Sequence, residues 1–413
     1  MYKDNYNIRI RCIFWFCFII TSDTEIESTT QKVIGWMDKH LLCRSKNKGV
    51  IYDFETTKDF LTNTVETTVF SPVCSEMNVY LQACSGEYSI NFYDEYADDF
   101  IGCSKEYLEK LVDVLEAGNK EDKTVDSNKK GSNVFVANSI FIPSDRSEHF
   151  PQSSSAYEFE SYDSRNSLDL LKKHENFVKQ KTNNLLSSSL KEEAFNKNFR
   201  IYTSAFYFKD NWLQEFYGDK TREDNFTFKD GSVVKRMFMN IDENYVYELI
   251  EKDGLKFEVV ALPYITTINK NVHKRYMIYL IPDDKATDLS LLWNEFNIYT
   301  YFNIRDYLMS LKERRIILQI PKLVNFESIL NINEILKNTY GSGPSAVVSS
   351  LMKTKITVNE TGTEAVALNE TCVADCGFFG VPLVKANRPH VAFIYDMSIK
   401  RVLFVINDIG EKK

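Results

Sequence analysis

Little in this chain resembles the equipment of an enzyme. Its five histidines, His40, His149, His174, His273 and His390, are scattered, and His174-Glu175 lacks the second histidine of a zinc helix. No Gly-x-Ser-x-Gly elbow and no Gly-x-x-x-x-Gly-Lys phosphate cradle occurs. The eight cysteines show no Cys-x-x-Cys spacing, which removes the usual zinc and redox signatures. A net charge of −8 gives no support for nucleic-acid binding. No repeat of solenoid or propeller period is present. Lys172-Lys173, Lys179, Lys181 and Arg314-Arg315 suggest a sulfated-polysaccharide patch, but interleaved acids favour an ordinary solvated face. The expectation is therefore no metal, no cofactor and no catalytic centre of its own.

What is present is globular. The 413 residues are 44% hydrophobic and 26% charged, enough for a large core, and 23 Tyr with 29 Phe suit strands. Helical spacing is predicted over 30–42 and within 76–116, and 118–132 reads as a solvated linker. A strand is predicted over 133–142, a helix over 167–190 and a strand over 199–208. From 226 to 282 short strands alternate with turns such as Lys229-Asp230-Gly231 and Lys252-Asp253-Gly254. A helical excursion over 286–310 follows, and strands then dominate to 409. Helices early, strands late and no βαβ alternation predict a single α+β domain.

The amino terminus reads as a targeting segment. Lys3, Arg9 and Arg11 precede a continuous apolar run from Cys12 to Ile20, and Thr21-Ser22 are small. That run is too short to span a membrane and fits a signal peptide over 1–22, with 23–413 secreted. An uncleaved anchor and a buried strand are the alternatives. Cys43, Cys74, Cys84, Cys103, Cys372 and Cys376 then remain; disulfides and buried thiols are both open for them.

The most informative stretch is Val358-Asn359-Glu360-Thr361-Gly362-Thr363-Glu364-Ala365-Val366-Ala367, with no proline until Pro382. Gly362 permits a hinge. In an extended strand Thr363, Ala365, Ala367 and Asn369 share one face, and three of them are small enough to slide between existing strands. Glu364, Val366, Leu368 and Glu370 share the other face. Lack of proline leaves every residue able to join a central ladder. The plain alternative is an exposed loop before a C-terminal hairpin.

This stretch resembles the hinge and reactive loop of the serpin family, and further blocks follow in that family's order. Val69-Phe70-Ser71-Pro72 with Cys74-Ser75 looks like Phe-Ser-Pro-x-Ser; 133–141 is similar to its Ala-Asn strand; Asn176-Phe177-Val178 with Thr182-Asn183 resembles Asn-x-x-Val-x-x-x-Thr. Ala205-Phe206-Tyr207-Phe208-Lys209 with Trp212 and Phe216 resembles Ala-x-Tyr-Phe-Lys-Gly-x-Trp, and Leu262-Pro263-Tyr264 matches Leu-Pro-Tyr. Tyr276 to Pro282, Ile316 to Lys322 and Ala386-Asn387-Arg388-Pro389 complete the set.

The resemblance implies three β-sheets, eight or nine helices and an exposed reactive loop over about 360–384. It implies a suicide-substrate inhibitor of a protease, bait rather than catalyst, and a monomer that binds neither nucleic acid nor membrane. Counting from Glu360 as the first residue places the attacked bond at Cys376-Gly377, with Phe378 or Phe379 as alternatives. Cysteine suits an elastase-like enzyme or a cysteine protease, and phenylalanine a chymotrypsin-like pocket. A non-inhibitory carrier or chaperone is the competing reading. The implied sheet-opening region is Ser71, Cys74, Ser204, Trp212 and Met352, where Cys74, Ser204 and Met352 replace a serine, an asparagine and a histidine of the family pattern. His390 stands for a phenylalanine, and the stretch Gly341 to Met352 is short, suggesting a lost helix. Asn225, in Asn-Phe-Thr, is the most credible glycan acceptor; Asn359 and Asn369 also match that pattern.

Overall fold

In the computed structural model of this chain, the described residues are 48–84, 108–116, 133–146, 153–188, 190–196, 199–269, 272–340, 348–363 and 380–410. Contacts divide the chain into two units, 1–51 and 52–413, and the account below concerns the second. The predicted signal peptide, its boundary at 22/23 and the predicted helix over 30–42 lie outside the described residues.

Elements follow in this order: α1 Lys48–Asn63, β1 Thr68–Phe70, α2 Pro72–Cys84, α3 over 108–116, β2 Asn133–Pro143, β3 Glu158–Tyr162, α4 Ser167–Lys181 and α5 Glu192–Asn196. Then come β4 Arg200–Asn211, β5 Arg222–Thr227, β6 Val233–Lys252, β7 Leu255–Pro263, β8 Thr267–Asn269, β9 Val272–His273 and β10 Arg275–Pro282. The rest is α6 Leu289–Tyr299, α7 Ile304–Ser310, β11 Glu313–Pro321, β12 Leu323–Asn331, α8 Ile332–Tyr340, β13 Val348–Asn359, β14 Gly362–Thr363, β15 Leu383–Lys385, β16 His390–Asp396 and β17 Arg401–Asp408. Among the described residues no helix is long and apolar enough to cross a membrane.

The strands form three sheets. A six-stranded sheet has the order β12-β13-β14-β4-β2-β3, a nine-stranded sheet runs β1-β17-β16-β10-β7-β6-β11-β15 with β5 on β6, and β8-β9 is a small ribbon. β6 serves three neighbours in turn: β5 beside its first residues, β11 in its middle and β7 at its end. Within the six-stranded sheet, β13 runs parallel to β4, from Val348 opposite Arg200 to Lys355 opposite Tyr207.

Period-two alternation decides what each face of β4 does. Phe206 and Phe208 face the nine-stranded sheet, where Phe206 stacks on Phe404 at 4.9 Å and Phe208 meets Tyr264 edge-on at 5.2 Å. Ala205 and Tyr207 face outward, under Val178 and Leu186. β16 and β17 are buried along their whole length, and their central runs, Val391 to Tyr395 and Val402 to Ile406, are apolar throughout.

α2 is the helix of the interior. Ser71 Oγ accepts from the Cys74 amide at 3.1 Å, Pro72 occupies the first turn, where its missing N–H costs nothing, and the residues described from Val73 to Gln82 are buried. α4 buries Leu170, His174 and Val178 on one stripe. It ends at Lys181, not at 190, because Asn183 and Asn184 adopt positive φ. Strands dominate beyond 310 as expected, with one helix among them: α8 stands between β12 and β13. Its signal is Asn331, whose Oδ1 accepts from the Asn333 amide at 3.1 Å, followed by apolar Ile332, Ile335 and Leu336 at helical spacing.

Candidate functional site: the hinge and the strand seam

β13 and β4 are directly paired as far as Lys355 and Tyr207, then part to admit another strand. The chain turns back after Asn359, and Gly362 and Thr363 enter the gap. They pair antiparallel with Asn359 and Val358 on one side and with Asn211 and Asp210 on the other. The turn is tied by one side chain: Asn359 Oδ1 accepts from the Thr361 amide at 3.1 Å, the Thr361 hydroxyl at 3.0 Å and the Gly362 amide at 3.2 Å. Glycine is required at 362 by space. A Cβ there would lie 2.3 Å from the Asp210 carbonyl oxygen and 2.6 Å from Asn211 Cα.

Thr363 is fully buried, and its hydroxyl meets Tyr264 Oη at 2.8 Å. Trp212 stacks on Tyr264 at 4.7 Å and donates its indole N–H to the Asn359 carbonyl at 2.8 Å. Beneath the hinge, buried Arg275 holds Asp396 at 2.8 Å, with Asp210 at 3.9 Å. Glu360 stays at the rim. Its carboxylate meets Lys322 Nζ at 2.8 Å and accepts from the Thr221 hydroxyl at 2.8 Å. Burial alone would raise this carboxyl, but those hydrogen bonds hold it below the usual range.

The proposed opening residues fall into two places. Ser71, Cys74, Ser204 and Met352 meet midway along the seam: Met352 lies opposite Ser204, the Cys74 thiol donates to the Ser204 carbonyl at 3.5 Å, and Ser71 Oγ donates to the Leu403 carbonyl at 2.6 Å. Trp212 is not among them; it lies eight residues beyond Ser204, just past the end of β4, with the hinge. Burial pushes the Cys74 thiol far above its ordinary range, so it is an unreactive core group.

Sequence reasoning missed the polar groups that close the seam here. Asn78, one turn beyond Cys74 on α2, donates to Ser204 Oγ at 3.5 Å, and the Ser350 hydroxyl of β13 donates to Asn78 Oδ1. Gln82, a further turn along, donates to Asn78 Oδ1 at 3.1 Å and Ser350 Oγ at 3.2 Å. All three residues are buried. The available signal was two amides four residues apart, Asn78 and Gln82, among the apolar residues of this helix.

The outer face of the seam is strapped as well. His174 on α4 reaches Thr203 Oγ1 of β4 at 2.9 Å and Ser188 Oγ at 2.7 Å. The neighbouring Ser187 accepts from Lys353 of β13 at 2.8 Å. The segment after α4 thus touches both strands. Burial lowers the His174 pKa to about 4, so its imidazole is neutral at physiological pH.

Among the hinge residues, Glu360, Gly362 and Thr363 are placed; Glu364, Ala365, Val366 and Ala367 lie outside the described residues, as do Cys376, Gly377, Phe378 and Phe379. So do 341–347, most of the stretch read as a lost helix. Asn225 is exposed on β5. The chain resumes at Gly380 and returns through β15, which pairs parallel with β11. His390 is buried against Phe226 and Tyr279, an aromatic setting that accommodates an imidazole in place of phenylalanine.

A hairpin tip seated between two strands of a sheet that closes immediately below it is a specific arrangement, and known proteins share its frame. The family model of the serpins, serine protease inhibitors, matches residues 95–406. The chain belongs to the serpin family. It is 28% identical over 220 residues to a serpin-like protein of fowlpox virus, covering 49% of this chain and 58% of that protein. Serpin-Z10 of Arabidopsis thaliana is 27% identical over 250 residues, covering 54% and 61%. Serine proteinase inhibitor 2 of variola virus is 27% identical over 243 residues, covering 55% and 66%. This serpin therefore spans less than two-thirds of each relative's length. Among solved structures, Arabidopsis AtSerpin1 in its native stressed conformation gives a TM-score of 0.67 at 20% identity, covering 89% of this chain and 98% of that one. Native protease nexin-1 with heparin gives 0.67 at 17%, covering 89% and 99%. The likeness is one of fold.

Proposed function

We propose that this serpin is a secreted, monomeric protease inhibitor that works as a suicide substrate. The observation that supports this most is the seating of Gly362 and Thr363 between β13 and β4, with the remainder of the seam closed. A strand already begun can be extended without a new nucleus. In this reading the target attacks Cys376-Gly377, or a bond at Phe378 or Phe379, and forms an acyl-enzyme. The loop then enters the sheet as a further strand and carries the enzyme with it, distorting the oxyanion hole so that deacylation fails. The target class is a serine protease of elastase-like or chymotrypsin-like pocket, or a cysteine protease.

The second reading is a non-inhibitory carrier or chaperone. The inner cluster of Asn78, Gln82 and Ser350 and the outer strap through His174 favour it, because both resist parting of the strands. One experiment separates the two. Incubation with a protease panel should yield an SDS-resistant band of higher mass. Nicking the loop with a non-target protease should raise the melting temperature by tens of degrees. On the order of ten inserted residues form ladder bonds worth about 1 kcal/mol each, a gain comparable with a whole domain's stability. No such band, together with an unchanged melt, would place the protein in the second class.

A further inference from the structure

We infer that His390, Arg236 and Asp408 form an acid-sensitive latch on the leg by which the loop rejoins the body of the fold. The inference does not depend on loop insertion and applies under either reading of function.

Asp408 is the knot of this corner. It ends β17, is fully buried, and accepts from Arg236 of β6 at 2.8 Å and 3.0 Å. The Gly410 amide donates to it at 3.2 Å and the Thr67 hydroxyl at 3.5 Å. His390, the first residue of β16, lies opposite Asp408 in the ladder. The Arg236 guanidinium lies over the Phe226 ring of β5 at 4.8 Å, and the Thr227 amide of that strand donates to the Asn387 carbonyl at 2.8 Å. One carboxylate thus gathers β6, the chain ahead of β1 and the end of β17, with the returning leg beside it.

The imidazole is held in one tautomer. Its Nδ1 lies 2.8 Å from the Arg388 carbonyl oxygen, which can only accept, so Nδ1 carries the proton of the neutral ring. Nε2 is then a bare lone pair, and it lies 3.8 Å from Asp408 Oδ2, acceptor against acceptor. A proton on Nε2 would turn that mismatch into an ion pair, but the carboxylate is already matched by Arg236. The charged groups facing the ring are Asp408 on β17, Arg236 on β6 and Arg388 in the returning leg. Tyr279 on β10 and Phe226 on β5 complete its surroundings. An imidazolium would be a third cation beside one anion, in a site closed to water. Burial disfavours that charge most, both arginines add to it, and the pull of Asp408 and the Arg388 carbonyl does not offset them, so the His390 pKa is lowered.

A histidine whose folded pKa lies below its unfolded value, about 6.5, contributes stability that is present above that pH and is lost as pH falls towards the folded value. In acid the charged ring must either leave the corner or displace the guanidinium from Asp408. Either movement frees the start of β16 and the leg before it. Phenylalanine would pack in the same aromatic setting without this response.

The test uses the full-length protein with nitrogen-15-labelled histidine, its imidazole signals followed by NMR through a pH titration. His390→Phe assigns the His390 signals and keeps every other histidine. Expected are a proton on Nδ1 at pH 7 and a midpoint below about 6.5. Arg236→Met should raise that midpoint by about half a unit or more, roughly threefold in proton affinity; Arg236→Gln serves if Arg236→Met does not fold. Between pH 7 and pH 5 the folding constant of wild type should fall further than that of His390→Phe, about tenfold for each unit of lowered midpoint in that range. Amide exchange over residues 386–391 at pH 5 should be faster in wild type than in His390→Phe. A proton on Nε2 at pH 7, an ordinary midpoint that the Arg236 variants leave unmoved, equal losses of stability, or equal exchange over 386–391 would each overturn the latch.

Discussion

The indole N–H of Trp212 donates to the carbonyl oxygen of Asn359 at 2.8 Å, joining the end of β4 to the residue whose side chain ties the hinge turn. Replacing Trp212 by Phe keeps an aromatic ring against Tyr264 but removes the donor. The expected loss is about 1 kcal/mol of stability in chemical denaturation, with faster proteolysis near residue 361. Unchanged denaturation and proteolysis would show that the indole hydrogen bond does not hold the turn.

Gly362 admits no side chain. With Asp210 O only 2.3 Å from the position a Cβ would take, Gly362→Ala must push the hairpin tip out or spread β4 from β13. Destabilisation of about 1–3 kcal/mol is expected. Hydrogen exchange at the Thr363 amide should rise in the variant. If exchange there stays as slow as in the parent, the tip is not held between the strands.

Glu360 has a depressed carboxyl, because Lys322 and Thr221 bind its ionised form more than burial penalises it. A depressed carboxyl contributes stability that is present above its unfolded pKa, about 4.3, and is lost as pH falls through the lower folded value. Lys322→Met should therefore destabilise at pH 7 by under about 1 kcal/mol, since the pair is partly solvated, and the difference from wild type should close in acid. Thermal melts of both proteins at pH 7 and pH 3 measure it. A difference that persists at pH 3 would assign the effect to packing.

Arg401 sits between two buried carboxylates, Asp53 at 2.6 Å and Glu76 at 2.8 Å. Burial raises both carboxyls despite the guanidinium. A raised carboxyl is a stability cost that appears as pH rises through its folded pKa. Arg401→Met should cost about 3–5 kcal/mol at pH 7 and visibly less near pH 4, where the acids take up protons. Glu76→Gln, which removes one of two like charges, should be close to neutral at pH 7. A loss from Glu76→Gln as large as that from Arg401→Met would contradict this ordering.

Glycan mapping of protein from a secreting host should find Asn225 occupied and Asn359 bare. Asn225 is exposed, whereas Asn359 is buried and commits its side-chain oxygen to three donors. Occupancy at Asn359 would mean that the hinge turn forms only after glycosylation or not at all.

The local geometry at Gly362 and Thr363 was legible because its logic is local. Gly362 and the inward face of Thr363 follow from backbone geometry and a period of two, and both are found in place. The α+β class and most elements followed from hydrophobic spacing. What closes the seam was not legible. Asn78 and Ser350 are 272 residues apart in the chain, and neither looks unusual until α2 is laid against β13. Attention to Cys74, Ser204 and Met352 registered the polar groups lost there but not those gained one and two helical turns away. Trp212 was grouped with them by sequence pattern, although eight residues of extended strand carry it some 25 Å off. α8 was hidden because nine residues at the end of a strand run carry only two turns of periodicity.

The twenty residues of β6 have a mechanical consequence. One uninterrupted backbone is hydrogen-bonded to β5, β11 and β7, and through β11 to the strand on which the loop returns. Load applied at the returning end of the loop is expected to pass through β15 and β11 to this shared strand. The boundary between β13 and β4 differs, because beyond Lys355 and Tyr207 the two strands are already parted by β14. A pulling experiment anchored at residue 385 and residue 200 should accordingly find that boundary yielding before any strand pair of β6.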